Sequence, residues 1–194
     1  MNEILFYITR YGIYLLYGLV TFLILKSIFS ASIKDHHSHW NTLIDNFNFS
    51  TPEFYKLLKE DLENQGIKHV KIEQVSIKEG NAISSRRAYL RVTWKGYQYD
   101  VCGAPFGNGF FISWWLLYKN SFGQTLVSKV PFIGGWLAKK LYPITYYKID
   151  TASMFMTYAQ ASVLKVVDEI TKLHGVRLLS EQERKPTLQD IFKR

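Results

Sequence analysis

Hydrophobic and polar positions alternate with three different rhythms along this chain, and each rhythm predicts a different kind of element. From Ile4 to Leu25 there is scarcely any alternation: ILFYITRYGIYLLYGLVTFLIL contains Arg10 as its only charged residue. A bilayer core about 30 Å thick is crossed by about 20 apolar residues of helix, so this run predicts a single membrane-spanning helix. Lys26 at its end can snorkel to the headgroups. A cleaved signal peptide is the competing reading, disfavoured because the apolar run begins well before Arg10 and a lysine follows it. Tyr7, Tyr11, Tyr14 and Tyr17 recur three or four residues apart as an aromatic stripe, with no GxxxG to set a dimer.

Beyond the run the rhythm becomes helical. His36, His37 and His39 lie in a polar joint and are read as a loop rather than as metal ligands. Trp40, Leu43, Ile44 and Phe47 then predict a short helix. Thr51-Pro52 opens a longer one, with Phe54, Leu57, Leu58 and Leu62 as its apolar stripe and Gly66 as its stop. From His69 the period falls to two. Val70 and Ile72 alternate with charges, and Val75 and Ile77 do so out of phase, which predicts a bulged strand.

The next strand is sharper, with Ala88, Leu90, Val92 and Trp94 on one face and Arg87, Tyr89, Arg91 and Thr93 on the other. Lys95-Gly96 predicts a two-residue hairpin. Its register sets Trp94 opposite Tyr97, Val92 opposite Tyr99, Leu90 opposite Val101 and Arg91 opposite Asp100, a favourable cross-strand charge pair. The glycine-rich segment Cys102–Gly109 lacks the features of a phosphate loop and reads as a turn. Phe110–Tyr118 reads as a strand apolar on both faces. Either it is central and covered, or Trp114 and Trp115 reach a membrane interface. Phe132, Ile133, Trp136, Leu137 and Leu141 beside Lys139 and Lys140 resemble an element lying in a headgroup plane; a loop helix covering a sheet edge is the alternative. Asp150 is the expected cap of a long helix ending at Gly175, and Leu188, Ile191 and Phe192 give the tail a small apolar face that can engage a partner.

The expected fold is therefore α+β: an anchor helix in residues 1–30, a juxtamembrane linker and short helix in 31–50, an α+β domain in 51–179 and a tail helix in 180–194. The domain has an antiparallel sheet of about four strands, with the long helix packed on it. The chain of 194 residues suits one such domain beside an anchor. Its formal charge of +8 is nearly all beyond residue 30, since Arg10 and Lys26 before it oppose Glu3. A basic domain held at a bilayer is drawn to anionic lipid headgroups; nucleic acid is disfavoured, because no recognised motif accompanies the charge. Lys26 and Lys34 after the span place the domain on the cytoplasmic side by the positive-inside rule.

Cys102 is the single cysteine, so no disulfide framework forms within the chain. No nucleophile, metal or cofactor motif is present, and neither metal nor cofactor is expected. Arg87, Tyr89, Arg91 and Asp100 are the candidate ligand-binding residues because they share a polar sheet face. Trp114, Trp115, Phe132, Trp136, Lys139 and Lys140 are the candidate membrane contacts. The sequence points to a single-pass membrane-anchored binding or assembly module, whose partners are lipid and a protein, a second copy of the chain or a small anionic ligand. Two alternatives are an effector that oligomerises through the span to permeabilise the bilayer, with Arg10 as its intramembrane charge, and an enzyme using Cys102 with His69 as base.

Overall fold

The structure, a computed structural model, describes residues 11–15, 17–18, 34–78, 86–119, 121–128 and 133–188. The chain divides into two compact units: a small one formed by Met1–Ile33 and Asn120–Pro143, and a sheet unit formed by Lys34–Lys119 and Ile144–Arg194. The expected span over residues 4–25 lies mostly outside the described residues; within it, 11–15, 17 and 18 are helical. Among the described residues no helix is long and apolar enough to cross a membrane.

The sheet unit is α+β. Its strands are β1 (Lys34–Ile44), β2 (Lys71–Lys78), β3 (Arg86–Trp94), β4 (Tyr97–Phe106), β5 (Gly109–Lys119) and the two-residue β6 (Thr187–Leu188). They form one antiparallel sheet in the order β2-β3-β4-β5-β1-β6. Helix α1 (Thr51–Asn64) carries the chain from β1 at one side of the sheet to β2 at the other. After β5 the chain enters the small unit, where α2 (Phe122–Ser128) and α3 (Gly134–Leu141) lie, and returns as α4 (Tyr146–Leu173).

The β3–β4 hairpin has the register that the alternation predicts, from Trp94↔Tyr97 through Arg91↔Asp100 to Leu90↔Val101. Both turn residues take positive φ, Lys95 at 46° and Gly96 at 84°, the turn hand that matches strand twist. Strand β5 is central but covered on one face only, since Trp115 on the other is exposed. Phe110, Ile112, Trp114 and Leu116 are fully buried on the face that carries the helices. There Trp114 stacks on Tyr99 at 4.8 Å, and Phe155 of α4 meets Tyr99 edge-on at 6.3 Å. Tyr158 of α4 donates to the Leu62 carbonyl of α1 at 2.7 Å, joining the two helices over this core.

Several local expectations are corrected. Residues 34–44, read as linker and the start of a short helix, are the long strand β1. Trp40 and Ile44 are buried, whereas Leu43 is 40% exposed, so the helical spacing of the apolar residues is accidental and the sheet has five principal strands. Strand β2 pairs with β3 without interruption; the register shift lies in β1, between His36 and Ser38. Ile72 faces Val92 on the helix side, while Val75 and Ile77 oppose Tyr89 and Arg87 on the other. The change of phase in β2 is thus a change in which face carries the apolar residues along an outer strand, where Ile72 and Val75 are half-buried and Ile77 is exposed. Helix α4 is capped by Thr145, whose hydroxyl accepts from the Lys148 N–H, five residues before the expected Asp150. Residues 180–188, expected to begin a helix, form a single turn and β6; Ile191 and Phe192 lie outside the described residues.

Candidate functional site

The predicted polar face exists, and its chemistry is largely internal. Arg91 holds Asp100 through two parallel bonds, Nε to Oδ1 at 2.8 Å and Nη2 to Oδ2 at 2.9 Å. Gln98 donates to the same carboxylate, and Asp100 is 3% exposed. On the next strand Glu73 sits opposite Arg91 and takes an ion pair from Lys71 at 2.7 Å. A guanidinium forked onto a buried carboxylate is a sheet fastener, and it leaves Arg91 committed rather than open to an anion. Arg87 is exposed further along β3 and hydrogen-bonds Tyr89, which is half-buried. The four candidate ligand residues therefore separate into an Arg91–Asp100 pair and an Arg87–Tyr89 pair.

Cys102 follows on β4 and is buried. Burial pushes its thiol up from the ordinary value, and nearby Arg87 offsets this only in part, the reverse of what a nucleophile needs. His69 precedes β2, whose ladder with β3 begins at Lys71↔Thr93, and Cys102 follows the last β3–β4 pair, Leu90↔Val101.

Tyr55 is a site residue that periodicity did not reveal. The β3–β4 ladder stops at Leu90↔Val101. Two positions further along that register, where Ala88 and Gly103 would face each other, the Tyr55 hydroxyl stands between them, donating to the Ala88 carbonyl at 2.8 Å and accepting from the Gly103 N–H at 3.1 Å. Its ionisation is pushed well up by burial, against the opposing effect of the Gly103 bond. Gly103 is needed because a Cβ there would lie 2.5 Å from the Phe54 ring. Helix α1 is in this way seated directly on the opened ladder.

The C-terminal residues after α4 form a strap along β1. Arg184 forks onto Asp168 at 2.8 and 3.0 Å, Arg177 onto Glu183 at 2.7 and 2.8 Å, and Ser180 and Glu183 cap the turn between them. The Trp40 indole donates to the Glu183 carbonyl and the Ser38 hydroxyl to the Thr187 carbonyl. The Ser180-x-x-Glu183 spacing is a capping-box signal legible in the sequence. Leu188 pairs with Ser38 at the end of the strap. Beside it a cleft of about 250 Å³ is lined by Leu43, Ile44, Asp45, Asn46, Val176, Arg177 and Leu179, none of them a candidate ligand residue from the sequence.

The membrane candidates divide between the units. In the sheet unit Trp114 is fully buried in the core and has no surface to offer lipid; this corrects its place among the contacts. Trp115 projects from the opposite face, 41% exposed, and stacks on His39 at 4.9 Å. In the small unit Trp136 is 64% exposed, with Lys139 and Lys140 exposed beside it, while Phe132 lies outside the described residues. Tyr11, Ile13, Tyr14, Leu15 and Tyr17 are likewise exposed. Arg10, on which the permeabilising alternative rests, lies outside the described residues.

No family model matches the chain, and a search of the curated proteins finds no match. Among solved structures, the crystal structure of TTHA0849 from Thermus thermophilus is similar at 15% identity, covering 66% of this chain and 97% of that one with a TM-score of 0.23. A likeness at that level carries no argument about fold or function.

Proposed function

We propose that the protein is a membrane-attached binding or assembly module, in which the small unit contacts the bilayer and the basic sheet unit presents surfaces to a protein partner or an anionic ligand. The carrying observation is the inverted burial of the small unit. Leu15, Tyr17, Ile133, Trp136 and Leu141 are each more than half exposed, and they come from the two segments whose composition suits lipid. Both segments belong to the same compact unit. Exposed apolar side chains in that number mark a surface that water does not normally cover, and the long apolar run from Ile4 to Leu25 makes acyl chains the matching cover.

Burial of Cys102, which pushes its thiol up from the ordinary value, weighs against the cysteine alternative. Attachment is tested by washing membranes that contain the full-length protein with alkaline carbonate. Retention in the pellet and release by detergent are the expected results; full release without detergent contradicts the reading.

A further inference from the structure

We propose that α2 and α3 form a second, charge-directed membrane contact that lies in the headgroup plane of an anionic bilayer. The proposal deepens the membrane reading above and rests on it. Three observations converge on this hairpin: its packing, its exposed face and its charge.

The two helices are closed on each other through glycine. A Cβ at Gly134 would stand 2.7 Å from the carbonyl oxygens of Val127 and Ser128, and one at Gly123 would stand 2.6 Å from the Tyr142 hydroxyl. Thr125 and Gly134 are buried in that contact. What remains outside is a mixture of large apolar side chains and lysines. Ile133, Trp136 and Lys140 follow one another at helical spacing and Leu141 adjoins them, with Ile133 55%, Trp136 64% and Leu141 56% exposed, and Leu126 of α2 is 43% exposed. The Lys140 ammonium sits over the Trp136 ring, 5.0 Å from its centroid. An ordinary surface helix turns its polar stripe outward; here large apolar side chains turn outward among lysines.

Charge selects the occupant. No Asp or Glu occurs between Asp100 and Asp150, so Lys129, Lys139 and Lys140 are unopposed within 120–143. The small unit as a whole holds five basic residues and one acidic residue, and so carries half of the chain's formal +8 in less than a third of its length. An apolar stripe bordered by cations and free of carboxylates matches acyl chains beneath anionic phosphate, with tryptophan at headgroup depth. The apolar run in the same unit delivers the hairpin to that surface.

The test uses the full chain reconstituted in phosphatidylcholine vesicles, with or without about one quarter phosphatidylserine, carrying brominated acyl chains as quencher. Trp136 emission is isolated as the difference between the native chain and Trp136→Phe, which preserves an aromatic residue at that position. The expected result is quenching of this emission in the phosphatidylserine vesicles. Lys139→Gln with Lys140→Gln should lower the ratio of docked to undocked hairpin by about 30-fold, from the usual attraction of two basic groups to an anionic surface. High salt should act in the same direction. Unquenched Trp136 emission in every vesicle, as when a protein covers the face, overturns the proposal, and so does equal quenching with and without phosphatidylserine. A native chain that fails carbonate retention overturns the attachment reading instead, so the two failures are distinguished.

Discussion

The sheet unit buries a core of large apolar side chains, whereas none of those described in the small unit is buried. In the sheet unit Trp114, Tyr99, Phe110 and Phe155 are shut between the sheet and its helices, and charges are matched in forked pairs such as Arg91–Asp100 and Arg184–Asp168. In the small unit Trp136, Ile133 and Leu141 are exposed, and the charge is nearly all of one sign. The sheet unit too exposes large apolar side chains, among them Phe106, Tyr146 and Leu173, but it does so around a packed core. Tryptophan content alone does not separate the units, since Trp114 and Trp136 differ only in what surrounds them.

The sharpest way to break this contrast is a pair of truncations. Trp114→Ala should cost about 3–5 kcal/mol of folding stability in chemical denaturation, by lost burial and the cavity left behind, whereas Trp136→Ala should change it by less than about 0.5 kcal/mol. Comparable losses at the two positions would erase the distinction. Within the sheet unit, Tyr55→Phe removes the hydroxyl that bridges Ala88 and Gly103, and should cost about 1–3 kcal/mol because a buried donor and acceptor lose their partner. An unchanged denaturation midpoint would show that the two strands simply close.

A subtler expectation concerns the strap. The Arg177 guanidinium, with the Ser180 N–H and hydroxyl, holds the Glu183 carboxyl well below the usual carboxylate range. A depressed folded-state pKa means that its contribution is present above the unfolded value of about 4.3 and is lost as pH falls below it. Hydrogen exchange of residues 176–188 should therefore accelerate in acid ahead of the core strands. Glu183→Gln should produce the same loosening at neutral pH and abolish its acid dependence. The smallest perturbation is alkylation: Cys102 should react with iodoacetamide at least about tenfold more slowly in the folded chain than in denaturant, as expected of a buried, protonated thiol.

Legibility in the sequence follows the range of the interaction. The β3–β4 hairpin can be read to the residue because turn chemistry and alternation both act locally, and the opposed Arg91 and Asp100 agree with them. Strand β1 reads as a helix because Trp40, Leu43, Ile44 and Phe47 satisfy a helical spacing, while its pairing partner β5 lies some seventy residues away. Tyr55 is invisible for the same reason: its hydroxyl is fixed by Ala88 and Gly103, neither of them near it in the chain. On the polar face, alternation places Arg87, Tyr89, Arg91 and Asp100 together, yet only side-chain geometry shows that Arg91 is already spent on Asp100. Residues 120–143 carry a compositional signal, but whether Trp136 turns inward or outward depends on the glycine contacts that close α2 on α3.

The contrast between the units is tested most directly by hydrogen exchange of the full chain in detergent and in anionic vesicles. The account predicts that transfer to vesicles alters exchange within residues 1–33 and 120–143 and leaves β2 to β5 and α4 unchanged. Altered exchange concentrated in the sheet, with residues 133–141 unaffected by the bilayer, would contradict it.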